Sequence, residues 1–224
     1  MKHSKIYGIA LIIGTLGGII TMIFHPTGHD LLNQPDEIAR RNEMIAIAVH
    51  ILAIISLPLA FFGLLGFCRR LDLENPLVTL GLVVYGFGEL AVMSAAVLSG
   101  LVGPILTRKI LESDEATQKI LYAILMNNFQ MNQGFTKVYV VAVAVAFILW
   151  SILLLKKGRL MQITAIIGFI VGILSLIGVF SGHLKLDVHG FGLFTFAQSI
   201  WMISVAVFMI RTENKESDII SQEI

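Results

Sequence analysis

Five histidines and two aspartates gather at the ends of apolar runs rather than within them. His25, His29 and Asp30 arrive together in His25-Pro26-Thr27-Gly28-His29-Asp30. His183, Asp187 and His189 close a later run, and His50 lies just inside another. Neutral imidazole with carboxylate is the donor set of zinc, copper, iron and nickel sites. These residues therefore predict a transition-metal site with His25, His29, His50, His183, His189 and Asp30 as ligands. Three chemistries are open to it. Zinc with a vacant position would make hydroxide and hydrolyse an amide or ester of a small molecule or lipid, with Asp30 or Asp187 carrying the proton. Copper would suit the outer face, with Met22 or Met44 as soft ligands. Haem could lie between His50 and His189 for electron transfer. Five histidines exceed what one haem needs, so zinc or copper is the expected cofactor.

Glu89 points to a different class of function. It stands about 18 Å into an apolar run, at about 1.5 Å per residue, where a carboxyl must be protonated, paired or turned to water. Together with Pro58 inside a neighbouring run, it makes a proton-coupled small-molecule transporter the alternative. A bland role for Glu89 is a hydrogen bond to Tyr85 or Ser94. A third reading is a non-catalytic module that assembles with itself or a partner through glycine faces. GxxxxGK[ST] and GxSxG motifs are absent.

The elements that must position these residues are transmembrane helices. The chain is 56% hydrophobic and 14% charged, with mean hydropathy +0.85, which is far from a soluble domain. A net charge of +1 gives no reason to expect nucleic acid, and one cysteine, Cys68, rules out an intrachain disulfide. The predicted fold is all-α: a single polytopic membrane domain over residues 1–224, with spans at about 6–24, 44–68, 77–106, 138–155, 161–180 and 191–210. Pro26 should end the first span. Pro35, Asp36 and Glu37 suit the start of a helix that runs into the second. The third span is rich in small residues and belongs in the bundle's middle. Residues 107–137 form the longest connection. Ser113-Asp114-Glu115 looks like a helix start, and apolar residues recur helically through Phe129. This predicts an amphipathic helix at the membrane surface, with 113–132 as a lid in its sharper version.

Ile12–His29 and Ile166–His183 align without a gap, with eight of eighteen positions identical, Gly14/Gly168, Gly18/Gly172 and His29/His183 among them. This suggests an internal duplication. Lys2, Lys5, Arg69, Arg70, Lys156, Lys157, Arg159, Arg211 and Lys215 crowd the short segments on one side. That density predicts a bacterial cytoplasmic membrane protein with both termini and the 211–224 tail in the cytoplasm. His25, His29, His50, His183 and His189 then share the extracytoplasmic rim.

Overall fold

The computed structural model describes residues 4–26 and 36–222, all helix and short turns. Seven α-helices follow in order: α1 (Ser4–Phe24), α2 (Asp36–Leu71), α3 (Pro76–Val97), α4 (Gly103–Leu111), α5 (Glu115–Leu154), α6 (Arg159–Phe180) and α7 (Val188–Gln222). A π-helical turn, Leu98–Val102, joins α3 to α4. Counting α3, the π turn and α4 as one, six helices are long and apolar enough to cross a membrane. Their outer faces agree with this. Ile6, Ile9, Ile13, Leu16, Ile20 and Ile23 recur along one side of α1, and each is exposed. Leu174, Ile177 and Phe180 on α6 and Phe87 and Leu90 on α3 are more than half exposed. Water would not tolerate so continuous an apolar surface, whereas lipid tails would. This is the construction of an integral membrane protein.

Close helix contact rests on glycine. A Cβ on Gly14 would lie 2.5 Å from Ala60 N and 2.7 Å from Ser56 O, and one on Gly63 would lie 2.7 Å from Leu11 N. So α1 and α2 touch backbone to backbone, as small residues permit in membranes. Toward the terminal end of the bundle the core is aromatic. Phe147 stacks on Trp201 at 4.0 Å between centroids, Trp201 on Trp150 at 5.8 Å, and Phe67 meets both edge-on. All four are fully buried. Beyond them Arg70 lies over Phe208 and donates to Ser4 Oγ, and Arg69 donates to the Tyr7 hydroxyl.

One helix differs from the sequence reading. The 40 residues of α5 are one uninterrupted helix, about 60 Å long against a hydrocarbon core of about 30 Å. No turn separates the expected surface segment, 113–132, from the span that follows. Polar and apolar side chains alike are exposed along its first turns, Lys119, Asn127 and Gln130 beside Ile120, Ile124 and Phe129, whereas Asn128 is buried. The polar stripe Asn128, Asn132 and Thr136 faces neighbouring helices. It has work there, because a π turn leaves carbonyls out of register with their helical donors. Asn128 Nδ2 donates to Leu98 O at 3.0 Å, and Asn132 Nδ2 to Ala95 O and Ser99 Oγ, both at 2.8 Å. In α2 the helix continues through Pro58, as the single expected span requires, with the proline at an exposed position.

Candidate functional site

The helices enclose a cavity of about 240 Å³, many times the roughly 10–15 Å³ that admits one water. It begins at the helix ends that carry His25 and Asp187 and runs inward past Thr21, Ser56 and Thr195 to Tyr85, Tyr139 and Glu89. The aromatic plug of Phe67, Trp150 and Trp201 lies beyond, with Tyr85 ring 5.9 Å from Trp150. The cavity thus reaches the surface at one end and is stopped by tight packing at the other.

Glu89 is the chemical centre of this space. It is 5% exposed, and neither carboxyl oxygen has a hydrogen-bond partner. Ser94 does not pair with it, because Ser94 Oγ donates to Leu90 O at 2.9 Å; the Tyr85 hydroxyl is close enough to the carboxyl to interact with it but falls short of full hydrogen-bond geometry. Across the cavity, Gln198 Nε2 donates to the Tyr139 hydroxyl at 2.9 Å. The Thr195 hydroxyl is buried and unpartnered. Among the described residues no lysine or arginine lines the wall. Unsatisfied polar groups are rare in packed interiors, and four such atoms on one cavity mark a place that can hold water or a ligand.

Tyr139, Thr195 and Gln198 are not among the residues the sequence singles out, and Tyr85 enters there only as a partner for Glu89. A signal was present in the helical spacing of polar residues within apolar runs: Thr195, Gln198 and Ser199 on α7, and Asn132, Thr136 and Tyr139 on α5.

The histidines divide. His25 and His50 meet edge to face, 4.9 Å between ring centroids. Each donates from Nδ1 to a carbonyl on its own chain segment, His25 to Pro26 O at 3.0 Å and His50 to Ala46 O at 2.6 Å. That leaves Nε2 as the free acceptor on each ring. His50 also fills the space that Gly100 of the π turn leaves by having no side chain. His183 and His189 are exposed and take no part in the cavity wall. His183 Nδ1 is 2.8 Å from Ser181 Oγ, so that neighbouring pair does meet, although at the surface. Asp187 caps α7, accepting from Gly190 N at 2.8 Å. That bond, first among several, holds its carboxyl below the usual carboxylate range. Met22 lines the cavity, while Met44 is 65% exposed.

Among the described residues no three of the metal-ligating side chains come together. His29 and Asp30 lie outside the described residues. Of the candidate haem ligands, His50 lines the cavity and His189 does not.

Burial holds His25 below the ordinary imidazole value of 6.5, with the Pro26 carbonyl opposing. The unfolded chain therefore binds more protons at this residue once the pH drops below about 6.5. Its contribution to stability is complete above that pH and is lost as pH falls toward the depressed folded value. His25→Gln should flatten the acid-side decline in melting temperature between pH 8 and 5; an unchanged slope would assign the decline to other groups.

Comparison with protein-family models, with curated proteins and with solved structures returns no match.

Proposed function

We propose that this protein is an integral membrane transporter that couples a proton on Glu89 to the movement of a small molecule through the central cavity. One observation supports this above the rest. A carboxyl with both oxygens unpaired lies deep in a bundle of six apolar helices, on the wall of a cavity that reaches one surface. A charge at that depth is too costly to keep for packing alone. A group that alternately holds a proton and a ligand uses that cost, because each state relieves it. The lysine and arginine density supports termini in the cytoplasm of a bacterial cell and a cavity facing outward.

Proteoliposomes loaded with a pH-sensitive dye test the proposal. Under an imposed substrate gradient, proton flux should appear with the wild type and fall to the empty-liposome level in Glu89→Gln. Flux that persists in the variant would overturn the proposal.

A second reading is supported by the His25–His50 pair, whose free Nε2 atoms could take a zinc or copper ion with help from His29 or Asp30 in the adjoining segment. Elemental analysis of purified protein decides it. Stoichiometric metal that disappears in His50→Ala would favour this reading, and metal-free protein would remove it.

A further inference from the structure

The chemistry of the cavity wall restricts what the site can take. Among the described residues, Glu89 supplies the one acidic side chain at depth and Asp187 another at the mouth, and no lysine or arginine lines the wall to balance an anion. An anionic ligand would enter a low-dielectric space with no cation on the wall to pair with it, which is costly even while Glu89 holds its proton. Around Glu89 the wall is aromatic and aliphatic, with Tyr85, Tyr139, Val92, Leu57 and Met202. Aromatic faces attract cations as well as apolar bodies. Thr195 and Tyr85 add hydroxyls with no partner of their own.

Building on the transport reading, we infer that the ligand is a small amphipathic amine whose ammonium pairs with Glu89 while its apolar body lies against Tyr85 and Tyr139. The ammonium has the donors that the two carboxyl oxygens lack. The exchange is balanced in charge. In the empty site the carboxyl carries a proton; when the ammonium arrives, that proton leaves to water and the pair R–NH3+ with carboxylate remains. One cation enters and one leaves, so the low-dielectric interior never holds an unbalanced charge.

Three compounds with the same body and different heads test this: 2-phenylethylamine, 2-phenylethanol and 3-phenylpropanoate. Each is titrated calorimetrically into the full chain in detergent micelles. The amine should bind roughly thirtyfold or more tightly than the alcohol, the loss typical of removing one partner of a buried charge pair. The acid should not bind. Titration in phosphate and in Tris should reveal about one proton released per amine, as the exchange above requires. Glu89→Gln should erase the preference of amine over alcohol, and Glu89→Asp should retain it. Equal binding of amine and acid, or an amine preference untouched in Glu89→Gln, would overturn the inference. If Glu89→Gln does not fold, proton release by the wild type decides alone, because amine bound without it contradicts the exchange. Amine binding with proton release but no flux in vesicles would leave this inference standing and remove the transport reading. Glu89-dependent flux with no preference for the amine would do the reverse.

Discussion

Glu89→Met is expected to produce a protein that melts higher than the wild type and transports nothing. The two expectations have one cause. Both carboxyl oxygens are buried without partners, and an unsatisfied buried polar group costs about 1–3 kcal/mol. Methionine has a similar length, no hydrogen-bonding demand and the flexibility to fill an irregular wall. Replacing a poorly compensated buried carboxyl with an apolar side chain often stabilises. The gain should be about 1–3 kcal/mol, or several degrees in melting temperature. Proton-coupled flux should fall to background, since no other acidic side chain lines the cavity at that depth. Thermal melts in detergent and dye-loaded proteoliposomes check the two halves separately. A lower melting temperature would mean that Glu89 is held by a bond in the resting protein. Its claim to be functional would then fail with it, because that claim rests on stability forgone for activity.

How much of this was legible in the sequence depends on which link is considered. The six helices follow from run length and composition, and their starts and ends were marked by charge and proline: Arg69-Arg70 closes α2 and Pro76 opens α3. The depth of Glu89 also followed from counting residues. Rotation of each helix about its own axis could not be counted. Span number places His25, His50, His183 and His189 at one rim, but where each sits around that rim depends on which helices are neighbours. His25 and His50 meet because glycines bring α1 and α2 into backbone contact. His183, on the turn between α6 and α7, and His189, in the first turn of α7, remain at the surface. α5 shows why a polar stripe is hard to place from sequence. A helix with one polar and one apolar face fits the membrane surface, where the rule is polar face toward water. In a membrane protein the same pattern often points inward, where amides and hydroxyls satisfy freed backbone groups. Asn128 and Asn132, bound to carbonyls at the π turn, follow that second rule.

Gly14 and Gly18 look alike in the sequence, four residues apart on one face of α1, but their substitutions should have opposite consequences. A Cβ at Gly14 meets backbone atoms of α2: Ala60 N at 2.5 Å, Ser56 O at 2.7 Å and Ala60 Cα at 2.9 Å. Backbone cannot rotate away as a side chain can, so Gly14→Ala must push the two helices apart. Overpacking of this kind costs about 1–3 kcal/mol, and a larger residue should prevent folding. Gly18 has nothing within 4 Å of its Cβ position and lines the cavity. Gly18→Leu should therefore fold with a melting temperature close to the wild type's while its side chain takes up cavity volume and blocks ligand access. The duplicate glycines do not divide this way. Gly168 faces Ser151 and Trp201, and Gly172 would place a Cβ 2.8 Å from Ala144 O, so substituting either should destabilise. Thermal melts of Gly14→Ala, Gly18→Leu and Gly172→Ala beside proteoliposome flux give the comparison. Stability lost equally at Gly14 and Gly18 would mean that the space beside Gly18 is closed by packing in the membrane. The cavity would then not reach Glu89 along α1.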